Sequence, residues 1–316
     1  MANSIFTRKT NIWADKYRPK NLSEYIADAD IKEKIQSFID GNTLKHLCFE
    51  GPPGTGKSTL GNLIISSIDC EVLYINASEE RGIDTVRTKI KQFASTNSFS
   101  KNKVIFLEEF SEFTSDGQDA LRAIFELYSA TTKFILTCNN VEDIIDAIRS
   151  RCQEFKVIPP SKEKVLVRCE EILKAEDVSY DKDDVVEVIN HLYPDVRKII
   201  NELDKHTINK ELKLTKEFFK LLLYKDKVVE IINSVNEKNF ITKVNEIRQL
   251  LADTKVKKFN ELYRFLFDNI DQYKRKDDNI VPIILLLAKG QLNDSQVVDK
   301  EINVVATLVE ICEILK

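Results

Sequence analysis

The chain has 316 residues, of which 43% are hydrophobic and 31% are charged, and its formal net charge is −4 at pH 7. This length favours about two domains of ~150 residues each, with enough apolar residues for a substantial core in a soluble, helix-rich protein. The negative charge excludes a global attraction to nucleic acid, so any DNA contact must come from a local basic surface.

The sequence shows no sign of membrane insertion or secretion. Its longest apolar run, residues 281–288, contains Pro282 and is much shorter than the ~20 residues that cross a bilayer. The N-terminus lacks a signal-peptide pattern. None of the six cysteines forms a C-x-x-C pair. We therefore expect a cytoplasmic protein with reduced core cysteines and no membrane partner.

In chain order, the first distinctive segment is 13–20, which places aromatic side chains beside cations. Tyr17 and Arg18 stand directly before Pro19, and the proline biases Arg18 toward extended or turning backbone. The segment fits either the wall of a base-binding pocket or a surface arm.

From residue 47 onward, short apolar runs alternate with helical patterns. Strands are predicted at residues 47–50, 72–77, 104–108, 134–138 and 155–158. Apolar strands separated by helices indicate an α/β fold, with a parallel sheet covered by helices on both faces. Ligands of such sheets bind at the carboxyl ends of the strands.

A phosphate-binding loop follows the first predicted strand. It fits the pattern G-x-x-x-x-G-K-[ST] and consists of Gly51, Pro52, Pro53, Gly54, Thr55, Gly56, Lys57 and Ser58, with Thr59 next. The glycines allow successive N–H groups to point at an anion, and a helix predicted over residues 58–68 adds the positive end of its dipole. Lys57 would contact the β- and γ-phosphates of a nucleotide, and Ser58 would bind Mg²⁺.

Two further strand ends carry polar side chains at the same predicted edge. Glu108 and Glu109 end the third strand, where an ATPase holds the Mg²⁺ shell with the first acid and polarises water with the second. Asn139 follows the fourth strand and could bind the γ-phosphate or orient water. The alternatives are two solvated acids and a turn formed by Asn139 and Asn140.

Two arginines are candidates for phosphate contacts. Arg151 follows the helix of the fourth βα unit and, if it faces outward, would act on the nucleotide of a neighbouring subunit. Arg149 is a nearby competitor. Arg197 lies in the first turn of a predicted helix, where the helix dipole disfavours a cation. Binding of a ligand by Arg197 would explain why an arginine stands at this position. For each arginine, a surface position is the alternative.

Residues 78–91 are the best candidate for a nucleic-acid contact. Ile83, Val86, Ile90 and Phe93 share one face of a predicted helix, and the cations lie away from it. Backbone phosphates would be bound by these cations and by the N–H groups at the helix start, which places Arg81, Gly82, Ile83, Arg87 and Lys91 in the interface. A solvated charged face is the alternative.

Pro159 and Pro160 end the alternating pattern, and the rest of the chain is predicted to be helical. Ser161 is a predicted N-cap, and helices are predicted at 183–191, 194–206 and 216–224. From residue 226 the helical pattern continues almost to the end. No catalytic constellation is found there, so this tail is expected to be a packing or assembly module.

These motifs resemble those of the clamp-loader branch of the AAA+ ATPases, over residues 11–205. The resemblance rests on four features: Lys16-Tyr17-Arg18-Pro19, residues 78–84, Gln118 and Arg122 with Glu126, and Ser150-Arg151-Cys152. Of these, residues 78–84 look like the replication factor C small-subunit segment. Glu109-Phe110, residues 137–140 and the length look most similar to the large ATPase subunit of T-even-like bacteriophages.

The resemblance implies an AAA+ core at 1–159, a helical lid at 160–225 and a helical collar at 226–316 that holds a ring of subunits, pentameric in this family. It implies ATP and Mg²⁺ as ligands. It also implies these partners: a sliding clamp, primer–template DNA, further copies of the chain and a distinct small subunit. For a phage-encoded chain, the compartment would be the cytoplasm of the infected host.

The resemblance also implies roles for individual residues. Tyr17 and Arg18 would lie near the adenine. Glu109 would activate water, Asn139 and Arg197 would be the first and second sensors, and Arg151 would be a finger acting in trans. Gln118 and Arg122 would couple DNA binding to the ATP site, and the template strand would be tracked by Arg81, Gly82 and Ile83.

One departure from the family pattern is Glu108, where an aspartate is usual. The extra methylene moves the carboxylate outward by about 1.5 Å, which a water-mediated Mg²⁺ contact could absorb. Two other classes of function compete with a clamp loader: another AAA+ motor, such as a Holliday-junction helicase or a protein remodeller, and an assembly subunit that does not hydrolyse ATP.

Overall fold

The computed structural model describes residues 11–27, 29–41, 44–98, 100–273 and 279–316. The chain divides into two compact units, one ending at Lys213 and the other running from Leu214 to Lys316. Within the described residues, none of the helices combines the length and hydrophobicity that crossing a membrane requires.

The first unit contains a five-stranded sheet in which every pairing is parallel. Its strands, β1 to β5, are Leu47–Glu50, Cys70–Asn76, Asn102–Glu108, Lys133–Cys138 and Gln153–Lys156. Each overlaps a predicted strand, and the boundaries differ by at most two residues. The spatial order is β2-β3-β4-β1-β5. Because β1 pairs with β4, the loop that follows β1 lies next to the end of β4.

Apolar side chains on both faces of the sheet confirm the predicted layers. Alternate residues along a strand point to opposite faces. On β3, Val104 and Phe106 belong to a core cluster with helices α2 and α3 (Ala29–Gly41 and Lys57–Ser67). Their neighbours Ile105 and Leu107 belong to a second cluster on the other face.

The other helices of the first unit surround this sheet or follow it in sequence. They are α1 Trp13–Lys16, α4 Ile83–Thr85, α5 Lys91–Ser95, α6 Ser115–Tyr128, α7 Asp146–Arg149, α8 Lys162–Ala175, α9 Lys182–Leu192 and α10 Val196–Lys205. As predicted, Ser161 caps α8, because its hydroxyl accepts a hydrogen bond from the Lys164 N–H. A π-helical turn, Val86–Ile90, joins α4 to α5, and a short hairpin is formed by β6 Thr207–Ile208 and β7 Glu211–Leu212. Neither was predicted.

The regular elements in the described residues of the second unit are all helices, as the sequence predicts. Its helices are α11 Lys216–Asn233, α12 Phe240–Thr254, α13 Asn260–Asp268, α14 Ile280–Asp294 and α15 Lys300–Leu315. They share one apolar core, in which Leu262, Tyr263 and Leu308 are buried. Helix α11 is continuous across residues 225 and 226, where the predicted lid would meet the predicted collar, and the three-part division stays a prediction.

Candidate nucleotide-binding site

A cavity of about 400 Å³ lies in the first unit, at the carboxyl edge of the sheet. This volume is within the range of small-molecule sites. Its lining includes many of the residues predicted from sequence: Tyr17, Arg18, Pro53, Gly54, Thr55, Gly56, Lys57, Ser58, Thr59, Glu109, Asn139 and Arg197. The structure therefore brings together the N-terminal segment, the phosphate loop, the ends of β3 and β4, and α10.

At two positions of the phosphate loop, both the backbone conformation and the space beside the Cα atom require glycine. Gly54 and Gly56 have φ angles of +75° and +94°, a region that side chains disfavour. A Cβ atom on Gly54 would lie 1.9 Å from Asp195 Oδ1, and one on Gly56 would lie 2.9 Å from a ring carbon of Tyr25. The loop is therefore held closely between α10 and Tyr25.

Lys57 joins the phosphate loop to the end of β4. Its Nζ donates to the carbonyls of Gly51 and Pro52, at 2.7 and 2.8 Å, and to Asn139 Oδ1 at 3.0 Å. Burial lowers the pKa of Lys57 from its ordinary value. A partly desolvated ammonium group close to the loop N–H groups is suited to an anionic ligand.

Glu108, at the end of β3, is partly buried and forms a hydrogen bond with Ser58. Burial raises the pKa of its carboxyl group, while a hydrogen bond from Ser58 and the charge of Arg18 oppose the rise. A carboxylate and a hydroxyl are hard oxygen donors, which Mg²⁺ prefers when phosphates and water complete its shell. Ser58 and Glu108 therefore fit a Mg²⁺ site.

Glu109 adopts an unusual backbone conformation and has a polar partner. Its φ angle is +53°, which typically costs a non-glycine residue about 1 kcal/mol. Its N–H donates to the Thr137 hydroxyl at 3.1 Å. Its carboxylate accepts a hydrogen bond from the hydroxyl of Ser78. Glu109 thus lines the pocket with a strained backbone that the Thr137 hydroxyl supports.

Ser78 is also the first residue of the predicted nucleic-acid segment, which continues outside the pocket. Val86 and Ile90 are buried, and Ile83 and Phe93 are partly buried. The cations Arg81, Arg87 and Lys91 are exposed, and Gly82 has open space around its Cα. The predicted division into an apolar and a basic face is therefore present.

The predicted coupling residues lie on α6, which contacts this segment. The Arg81 carbonyl accepts a hydrogen bond from the Thr114 N–H, just before α6. Gln118 is buried; its amide donates to the Asp143 carbonyl at 3.0 Å and accepts from the Ile145 N–H at 3.0 Å. Gln118 thus connects α6 to the chain that follows Asn139, whereas Arg122 is exposed.

The candidate arginines occupy different environments. Arg197 lines the pocket, and 63% of its side chain is exposed. Arg151 lies on the surface, where it pairs with Glu126 at 2.9 Å. Arg149, its competitor, lies within 4 Å of three carboxylates, those of Glu142, Asp146 and Glu154. Arg151 is therefore the more available of the two to a neighbouring subunit.

Sequence reasoning missed several residues that shape the pocket. Asp195 packs against Gly54 and caps α10 by accepting from the Lys198 N–H at 2.9 Å, and its place before a helical pattern could have identified it as a cap. Tyr25 and Thr137 give no comparable local signal. Arg168 also lines the cavity and donates to the Tyr17 carbonyl at 2.9 Å.

Comparison with known proteins gives similarities at the levels of family, sequence and fold. Residues 47–160 match the model of the ATPase family associated with various cellular activities (AAA). The replication factor C small subunit of Sulfurisphaera tokodaii is 36% identical over 250 residues, which are 77% of this chain and 76% of the relative. The probable replication factor C subunit 5 of Dictyostelium discoideum is 42% identical over 200 residues, 60% of this chain and 58% of the relative.

Among solved structures, the RuvB Holliday junction branch migration motor of Thermotoga maritima is similar in fold. It superposes with a TM-score of 0.52 at 16% sequence identity, and the match covers 81% of this chain and 88% of that chain. At this identity the likeness concerns the fold alone.

Proposed function

This chain belongs to the family of replication factor C small subunits and is an AAA+ ATPase, and we propose that it works as the ATPase subunit of a sliding-clamp loader in which DNA controls hydrolysis. ATP binding would open the clamp and grip primer–template DNA. Hydrolysis triggered by that DNA would release the closed clamp.

A single contact carries this proposal: the Ser78 hydroxyl donates to the carboxylate of Glu109. Glu109 lines the nucleotide pocket, and Ser78 begins the basic segment that would contact the template strand. A carboxylate oxygen that accepts a hydrogen bond from a hydroxyl is less available to an attacking water, because the hydroxyl occupies an acceptor position that the water would need. Movement of the segment on DNA would therefore free Glu109 at the moment when hydrolysis is needed.

The remaining site residues have separate roles in this proposal. Lys57 and the loop N–H groups would hold the phosphates, Glu109 would accept a proton from the attacking water, and Asn139 would orient that water. Bound Mg²⁺, held by Ser58 and Glu108, would neutralise charge on the phosphates. Tyr17 and Arg18 would contact the adenine end.

The proposed assembly needs several copies of the chain. Arg151 is exposed on the surface, so it would complete the site of a neighbouring subunit, and residues 226–316 would form the collar that holds the ring. Sliding clamp, primer–template DNA and a distinct small subunit are the proposed partners. The Glu109-Phe110 pair and residues 137–140 support a more specific assignment, to the large subunit of a T-even-like phage clamp loader.

The experiment that tests the function is steady-state ATP hydrolysis by the purified chain with no DNA, single-stranded DNA, four-way junctions or primer–template junctions. We expect selective stimulation by primer–template junctions. Stimulation by four-way junctions would favour a Holliday-junction motor. Equal rates with every DNA would contradict clamp loading. If turnover is absent, the same assay with the small subunit added separates an incomplete ring from a chain that does not hydrolyse ATP.

Replacing Ser78 with alanine is expected to raise hydrolysis in the absence of DNA. The substitution removes the hydrogen bond to Glu109, and the release of such a bond corresponds to about a two- to tenfold increase in rate. Stimulation by primer–template DNA should shrink by the same factor, since the carboxylate is already free. The ratio of rates with and without DNA is the measurement.

The matched control for this prediction is Ser37→Ala. Ser37 is on α2, and its hydroxyl donates to the Lys34 carbonyl one turn earlier. Its replacement should leave both rates unchanged. A Ser78→Ala protein with the wild-type basal rate and the wild-type stimulation would remove the contact from the mechanism.

A further inference from the structure

Asp15, on the short helix α1, contacts two arginines that line the nucleotide pocket. Its Oδ1 accepts a hydrogen bond from Arg18 Nη2 at 2.8 Å, and the same oxygen lies 3.8 Å from Arg197 Nη2. Both arginines are part of the pocket lining. One carboxylate therefore contacts both Arg18, which is assigned to the adenine end, and Arg197, which would meet the polyphosphate.

The two contacts differ in strength. A separation of 2.8 Å is a full charge-assisted hydrogen bond, whereas at 3.8 Å only electrostatic attraction remains. The Arg197 side chain is also more exposed than that of Arg18, at 63% against 35%. Arg197 can therefore leave Asp15 at little cost, while Arg18 stays in place.

Asp15 occupies a defined position, because the segment that carries it is bound to helices α8 and α10. The Trp13 N–H donates to Asp204 Oδ2 at 2.9 Å, at the far end of α10 from Arg197. On the α8 side, the Tyr17 hydroxyl donates to Glu176 Oε1 at 2.7 Å, and Arg168 binds the Tyr17 carbonyl. The carboxylate is thus held beside the first turn of α10.

We propose that Asp15 is a positioning residue for the nucleotide, which orients Arg18 at the adenine end and holds Arg197 until the polyphosphate displaces it. The proposal rests on the proposed function, since it takes the pocket to bind ATP. An anion that must be displaced competes with the phosphates. Asp15 therefore lowers the affinity of the pocket for nucleotide, and it keeps Arg197 ordered when no nucleotide is bound.

The test is a titration of the full-length protein with a fluorescent, slowly hydrolysed ATP analogue. Asp15→Asn removes the charge but keeps a side-chain oxygen for Arg18. This variant should bind the analogue about three- to fivefold more tightly at low salt. In the Arg197→Ala background the gain should vanish, because the residue through which Asp15 acts is gone. A gain of equal size in both backgrounds, or weaker or unchanged binding by Asp15→Asn, would overturn the proposal.

Three controls separate this proposal from simpler explanations. Asp15→Glu keeps the charge and should bind nearly as the wild type does. Asp177→Asn makes the same change in net charge at an exposed position that pairs with Lys210, and it should leave the affinity unchanged; a matching gain there would show a general charge effect and refute a role of Asp15. If the wild-type protein fails to bind the analogue, the proposed function itself fails, which is a different result.

Discussion

Replacing Glu109 with glutamine should lower the rate of ATP hydrolysis by about 10²–10⁴-fold, the usual contribution of a general base, while ATP binding is retained. The amide has nearly the same shape as the carboxylate, but it cannot accept the proton of the attacking water. The backbone conformation of residue 109 is supported by the Thr137 hydroxyl, so the site should stay intact. Single-turnover hydrolysis and a nucleotide-binding titration on the same protein measure the two quantities.

The matched control is Glu112→Gln. Glu112 follows closely in the chain, on the short 3-10 helix Phe110–Glu112, and it is exposed. The same chemical change there should leave turnover unaltered. In a complete loader, the Glu109→Gln protein should still bind the clamp and primer–template DNA and then remain in that complex. Normal turnover by this variant would exclude Glu109 as the catalytic base.

The fold was largely predictable because each strand is a local signal. The runs that become β1 to β4 are mainly apolar and bounded by helical patterns, and each is recognisable within a few residues. Strand β5 contains one apolar residue, Phe155, and its predicted start lies two residues late. The order of the strands in the sheet is not a local signal, because it depends on which segments pair across long sequence separations. The position of β1 between β4 and β5 explains why Lys57 contacts Asn139, 82 residues away in sequence.

The site was predictable where a motif places backbone and side chains together, and unpredictable where contacts come from distant parts of the chain. Gly54 and Gly56 are recognisable from the loop pattern, but the Asp195 side chain against Gly54 is not, since it follows from how α10 packs. The Ser78–Glu109 contact likewise joins the ends of two adjacent strands, β2 and β3. A local pattern carries no information on such pairs.

The π-helical turn in the predicted DNA-binding segment was also missed. Val86 and Ile90, at its two ends, are both fully buried. A spacing of four residues is compatible with an α-helix or with a wider turn, so the pattern predicts a helix without its exact pitch. The wider turn changes the directions of the cations that follow, which is why the basic face has to be tested as a whole.

Replacing Arg151 with alanine should reduce hydrolysis in the assembled ring by about 10³–10⁵-fold, the range measured for arginine fingers, and leave nucleotide binding unchanged. The side chain is 38% exposed and pairs with Glu126 at the surface, so the variant should fold normally. The in-trans role is tested by mixing Arg151→Ala with Lys57→Ala subunits. A mixed ring contains interfaces with an intact pocket on one side and an intact Arg151 on the other, so the mixture should hydrolyse ATP faster than either variant alone.

Arg149→Ala is the matched control, because it removes the same charge two residues away. Arg149 lies near three carboxylates within its own subunit, so its loss should affect stability slightly rather than turnover, as expected for solvent-screened ion pairs. A larger loss of turnover in Arg149→Ala than in Arg151→Ala would assign the finger to Arg149. Failure of the mixed subunits to recover activity, when the ring still assembles, would show that Arg151 does not act across the interface.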